Sequence, residues 1–130
     1  VIRAVVGVLL RHEKVLVAER PSSKSYSGYW EFPGGKIEAD ETSQEALGRE
    51  LEEELGIQIV HAKPWRTYPY TYPDKTVFLE IWLVSDFIGE PHGKENQKIA
   101  WVTFSELSSL RVLEGTLPIM DDIKSLMEAI

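Results

Sequence analysis

The residues of this chain whose types and spacing could do chemistry are concentrated between Gly35 and Ile57, GKIEADETSQEALGRELEEELGI. Glu50, Glu53 and Glu54 stand at i, i+3 and i+4, so on a helix of 3.6 residues per turn their carboxylates leave one face. Leu47, Leu51 and Leu55 recur every four residues on the neighbouring stripe, the pattern of a helix that docks its leucines on a core and turns its acids toward a cleft. Carboxylates so close together repel, and a positive charge among them relieves the repulsion. Arg49 supplies one such charge, and carboxylate oxygens are also the ligands that Mg2+ and Mn2+ prefer. The competing reading is a solvated acidic face, steadied by the pairs Glu45 with Arg49 and Arg49 with Glu53, each adding about 0.2 to 0.5 kcal/mol.

The order of residues decides between these readings. Gly35, Glu41, Arg49, Glu50, Leu51, Glu53, Glu54, Gly56 and Ile57 reproduce the signature of the Nudix hydrolases: glycine, five residues, Glu, seven residues, Arg-Glu, a bulky aliphatic, any residue, Glu-Glu, any residue, glycine and a bulky aliphatic. Outside that box, WEFPGGKIE from Trp30 to Glu38, GEP from Gly89 and GKE from Gly93 resemble MutT-type members, the nucleoside triphosphate pyrophosphohydrolases that sanitise nucleotide pools.

The resemblance implies an α+β Nudix fold, a mixed β-sheet sandwiched between helices. It implies hydrolysis of an NTP or dNTP to the NMP and pyrophosphate, with Mg2+ or Mn2+ as cofactor and oxidised dNTPs such as 8-oxo-dGTP as expected substrates. It assigns metal binding to Glu50, Glu53, Glu54, the carbonyl of Gly34 and the late-loop Glu95. A water held between metal and carboxylate would attack phosphorus, with the general base open between Glu53 and Glu50 and Glu41 the weaker candidate. Arg49 is expected to orient a neighbouring glutamate and Glu41 to brace the loop against the helix; for both, a structural ion pair stands beside a chemical role. Lys36 is expected to stabilise phosphate oxygens, and Arg20, by resemblance, to contact substrate phosphate. Phe78, Trp82 and Tyr70 are candidates for a wall against the base, although alternating aromatics are also an ordinary core pattern.

One position departs from the subgroup. Its oxidised-guanine enzymes carry an Asn two residues before a proline at the start of the last helix, and here Thr116 precedes Pro118 by two. A hydroxyl cannot copy the paired donor and acceptor of an amide. Cytidine nucleotides, another nucleoside diphosphate compound such as ADP-ribose, and a non-catalytic nucleotide-binding module therefore stand as alternatives.

The elements that must carry these residues follow from hydrophobic pattern and turn chemistry. Ile2 to Leu10 and Val15 to Ala18 read as a strand hairpin broken at His12-Glu13-Lys14, and Pro21 to Tyr29 as a surface loop. Trp30 to Phe32 is a short strand feeding a turn at Pro33-Gly34-Gly35, and the signature helix runs from about Thr42 to Leu55. Ile57 to Tyr70 and Thr76 to Ile88 read as long antiparallel strands joined by a turn at Tyr72 to Lys75. Gly89 to Gln97 is a polar loop, Ile99 to Thr103 a short strand, Phe104 to Leu107 the start of a helical turn, and Pro118 to Ala129 a closing helix with proline at its first position.

Composition sets the bounds. The 130 residues, 43% hydrophobic and 27% charged, suit a single domain over the whole chain, 1–130. No apolar run approaches the roughly 18 residues of a membrane span, and no signal-peptide pattern is present. A net charge of −7 argues against nucleic acid polymers and anionic membranes as partners, and leaves a small nucleotide bound through cations. The absence of cysteine excludes disulfides and thiolate metal sites and fits a cytoplasmic setting. His12, His61 and His92 have no spacing suited to zinc.

Overall fold

The computed structural model describes residues 2–129. Seven strands form one mixed sheet: β1 Ile2–Arg11, β2 Lys14–Glu19, β3 Trp30–Glu31, β4 Gly34–Lys36, β5 Gln58–Tyr72, β6 Lys75–Ile88 and β7 Ile99–Val102. Three α-helices accompany them, α1 Ser43–Leu55, α2 Phe104–Ser109 and α3 Met120–Glu128, with a 3-10 helix over Glu114–Ile119 leading into α3.

The main path runs β3-β2-β1-β6-β5, with β4 added to β1 and β7 to β2. β1 is central. It pairs in parallel with β6 from Ile2 opposite Val77 to Leu9 opposite Val84, and antiparallel with β4, where Val6 faces Gly34. Its far end passes into the β2 hairpin at Leu10 opposite Val15. A strand covered on both faces is apolar along its length, which is why Ile2 to Leu10 shows no clean polar alternation.

The two faces are nevertheless distinct. Val5 and Leu9 join Leu16, Trp82 and Val84 beneath Ala46, Leu47, Leu51 and Leu55 of α1. Val8 lies on the other face with Val15, Val17, Ile81, Leu83 and Leu107 of α2, and with Ile123 and Met127 of α3. The sheet is thus sandwiched between helices. All four buried residues of α1 are fully excluded from solvent, and each leucine so buried is worth about 2 kcal/mol. That anchors the acid-bearing face in one orientation.

Local signals fix the ends of α1. Thr42 is the N-cap, its Oγ1 accepting the N–H of Glu45 at 3.1 Å while the Glu45 carboxylate accepts the N–H of Thr42 at 2.9 Å. Gly56 closes the helix in the left-handed conformation, φ 70°. Three expectations are corrected. The turn expected at Pro33 to Gly35 is occupied in part by β4, because Gly34 to Lys36 find ladder partners on β1. Pro118 is not the first residue of the last α-helix; it lies inside the 3-10 helix, and α3 starts at Met120 with Asp121 and Asp122 in its first turn. The fifth strand runs on to Tyr72, so the turn is only Pro73-Asp74.

β5 forms one edge of the sheet, with irregular pairing between Ile59 and His61, His61 and Ala62, and Pro64 and Arg66. Among the described residues no helix is long and apolar enough to cross a membrane. Replacing Thr42 by Ala removes half of the capping box, and the expected cost is about 1 kcal/mol with Thr42→Ser nearly neutral. Urea unfolding at unchanged m-value measures it; equal midpoints for Thr42→Ala and the wild type would show that the cap contributes nothing.

Candidate active site

The acidic face of α1 lies against β4, and the approach is close. A Cβ on Gly35 would collide with the carboxylate of Glu50, and one on Gly34 with the carbonyl oxygen of Val5. Glycine at both positions lets the helix and β1 close on the Gly34–Lys36 strand.

Arg49 is the hub of the acids. Its Nε and Nη2 donate to the two carboxylate oxygens of Glu41 at 2.6 and 2.9 Å. Nη1 donates to Glu50 at 2.9 Å and to Glu53 at 3.3 Å, Nη2 also reaches the carbonyl of Lys36 at 3.1 Å, and Glu38 lies 3.6 Å away. Glu41 and Glu50 are 17% and 16% exposed, whereas Glu53 is 53% exposed; the first two are bound firmly and the third is open to solvent. Hydrogen bonds from Arg49 and from the backbone of Glu38 hold the Glu41 carboxyl at about 2. Arg49 is correspondingly locked in its charged form.

Glu54 lies on the other side of this group. Burial raises its pKa, and neighbouring Glu50, Glu31 and Glu95 raise it further. It lines a cavity of about 270 Å³ with Glu31, Glu95, Lys24 and Gln97. Among the described residues, no three Asp, Glu, His or Cys side chains converge closely enough to hold an ion without adjustment. The carboxylates gathered here, Glu31, Glu54 and Glu95, nonetheless offer hard oxygen donors of the kind Mg2+ and Mn2+ prefer.

A second cavity of about 170 Å³ opens beside it, lined by Arg20, Tyr26, Glu31, Gly35, Lys36, Tyr72 and Leu113 among others. A smaller one of about 70 Å³ continues inward past Phe32, Tyr68 and Thr116. Lys36 is exposed at the mouth. Arg20 is largely committed to protein: Nη1 donates to both oxygens of Glu31 at 3.1 and 3.2 Å, and Nε to the carbonyl of Ser25 at 2.8 Å.

Phe78 is a correction. In the β5–β6 ladder Tyr70 opposes Val77 and Pro69 opposes Phe78, so Val77 and Leu79 share the cleft face with Tyr68, Tyr70 and Tyr72, and Phe78 points to the opposite face. Trp82 belongs to the core beneath α1. The sequence reading missed Glu31, which lines all three cavities and whose pKa is raised by burial against the opposing influence of Arg20. Its signal was a single charge inside the apolar Trp30-Glu31-Phe32. It also missed Tyr26 and Tyr72, whose rings approach to 6.0 Å across the cleft, and Gln97.

Comparison with known proteins agrees with this geometry. The NUDIX domain model matches residues 1–123, and the chain belongs to the Nudix hydrolase family. It is 32% identical over 128 residues to the CTP pyrophosphohydrolase of Escherichia coli strain K12, covering 98% of this chain and 95% of that protein. It is 38% identical over 104 residues to the 8-oxo-dGTP diphosphatase of Haemophilus influenzae, covering 78% of this chain and 76% of the relative. A MutT structure from a study of the enzymes of Aliivibrio salmonicida and Vibrio cholerae superimposes with a TM-score of 0.83 at 32% identity, over 96% of this chain and 98% of that one.

The Glu41–Arg49 pair has a measurable pH signature. Glu41 is held near 2 in the fold against its usual 4.5, so its stabilising contribution is complete above the unfolded value and is lost as pH falls from there toward 2. Wild-type stability therefore falls more steeply across that window than that of Glu41→Gln. Chemical denaturation at pH values of about 6 and about 3 tests this; equal losses in the two proteins would refute it.

Proposed function

We propose that this chain is a divalent-cation-dependent pyrophosphohydrolase that converts a nucleoside triphosphate to the monophosphate and pyrophosphate. The observation that carries the reading is the row of acids on α1, organised by Arg49 and packed against Gly34 to Lys36 at the mouth of the cleft lined by Arg20, Tyr26 and Tyr72. Glu50, Glu54, Glu53, Glu95 and the Gly34 carbonyl would hold Mg2+ or Mn2+, whose preference for oxygen donors suits this set. A bound divalent cation neutralises phosphate oxygens and lowers the pKa of its water.

The protein's own part is orientation and proton transfer. Both oxygens of Glu41 and one of Glu50 accept bonds from Arg49. Glu53 is the most exposed acid of the row and has the longest bond to Arg49, 3.3 Å, which favours it as the base that takes the proton from water. Lys36, exposed beside Gly35, adds positive charge where phosphate oxygens would enter. Arg20 acts mainly through Glu31 and the carbonyl of Ser25, steadying the cleft wall and the loop after β2.

The MutT-type resemblance and relatives named 8-oxo-dGTP diphosphatase support oxidised dNTPs such as 8-oxo-dGTP as substrates, in a nucleotide-sanitation role. A second reading, cytidine nucleotides, is favoured by Thr116, which lines the inner end of the cleft and lacks the amide pattern for oxidised guanine, and by the CTP pyrophosphohydrolase relative, which aligns over nearly the whole chain. The polymer and membrane exclusions rest on the net charge of −7.

Pyrophosphate release with Mg2+ across canonical and oxidised triphosphates, with ADP-ribose as outgroup, distinguishes these substrates. Glu53→Gln is expected to lower kcat by about 100-fold or more while leaving thermal stability intact. A folded wild-type chain that releases no pyrophosphate from any triphosphate would overturn the proposal.

A further inference from the structure

The last turn of α1 ends beneath the Gly89 to Gln97 loop, and this loop supplies donors to the carbonyls that a helix C-terminus leaves open. Gly56 returns its N–H to the carbonyl of Glu52 at 3.0 Å. His92 N–H donates to the carbonyl of Leu55 and Lys94 N–H to that of Glu54, each at 3.1 Å. The Glu54 carbonyl accepts a second bond, from Nε2 of Gln97 at 3.0 Å. The same side-chain amide receives, on Oε1, the N–H of Glu95 at 2.9 Å.

One half-buried amide therefore joins the backbones of two acids that are remote in sequence and line the same cavity. Glu95 is itself an exposed residue in a tight turn, flanked by Asn96 in the left-handed conformation, φ 63°; its backbone bond to Gln97 ties it to the helix. The loop's other bonds to α1 come from His92 and Lys94 and do not involve Glu95 directly. Only an amide of this length fits the role. Glutamate would lose the donor to Glu54 and add an anion to an acidic cavity, and asparagine would be one methylene short.

We propose that Gln97 is a positioning residue for the divalent cation, bridging the Glu54 carbonyl and the Glu95 amide so that the backbones carrying the two carboxylates keep a fixed spacing across the cavity. The inference rests on the cation site proposed above. Groups that support metal ligands from behind are typically worth about 10- to 100-fold in metal affinity.

Mn2+ alone is the probe, with free ion counted by electron paramagnetic resonance in the absence of substrate, so the readout is affinity and not turnover. The full chain is compared with Glu95→Gln, Gln97→Ala, Gln97→Met and the double variant Glu95→Gln/Gln97→Ala. Both Gln97 variants should weaken Mn2+ binding about 10-fold or more, and Gln97→Ala should add less than about twofold in the Glu95→Gln background, because the two residues act as one unit. Should Gln97→Ala fail to fold, Gln97→Met, which keeps the length and bulk of the side chain, carries the measurement. A folded Gln97 variant with affinity within about twofold of wild type overturns the proposal, and so does full additivity in the double variant. If Glu95→Gln binds Mn2+ as wild type does, the ligand role of Glu95 fails and takes this inference with it, an outcome distinct from an effect at Glu95 with none at Gln97.

Discussion

The interaction on which the site depends is the fan of bonds from the Arg49 guanidinium. α1 presents several carboxylates within two turns, and their mutual repulsion would by itself spread them apart or fray the helix. A planar fork with donors on all three nitrogens draws Glu41, Glu50 and Glu53 to one centre and ties them to the backbone of β4 through the Lys36 carbonyl. A lysine in this place would offer a point charge without that geometry. The guanidinium reaches only one flank of the row. Glu54, turned toward Glu31 and Glu95, gains nothing from it, so the acids divide into a compensated group and an uncompensated one. This division, more than the number of acids, gives the cleft its chemical direction.

The hydrophobic side of α1 makes that arrangement possible. Leu47, Leu51 and Leu55 are fully buried against β1, β2 and β6, and because side chains three and four apart share a face, burying the leucines fixes the direction of the glutamates. The sheet completes the alignment: β1 lies under α1 and pairs edge to edge with β4, so one strand sets the height of the acids and of the glycines they face.

The sequence reveals the helix and its chemistry well because the periods are short and local. Acids at i, i+3 and i+4, leucines every four residues, and the Thr42/Glu45 cap need no partner to be interpreted. The hairpins were legible for similar reasons, since His12-Glu13 and Pro73-Asp74 interrupt apolar runs. The failures lie where a residue's role is decided by something distant. Gly34 to Lys36 became a strand because β1 offered ladder partners. Phe78 turned away from the cleft because β5 and β6 pair residues of opposite parity, so the even-numbered tyrosines of one strand share a face with the odd-numbered residues of the next; the strand sequence contains no record of that register. Glu31 and Gln97 depend on neighbours brought from elsewhere in the chain.

The irregular edge strand β5 has a consequence for behaviour at high concentration. An open strand of this length offers unpaired backbone groups along which another polypeptide could add itself and begin a growing stack. Here Pro64 and Pro69 have no amide hydrogen to offer such a newcomer, Lys63 and Arg66 place positive charge on either side of Pro64, and the breaks in pairing between Ile59 and Arg66 bend the border away from a straight template. Irregularity at the rim therefore favours colloidal solubility, guarding a sheet whose opposite ends serve a cleft.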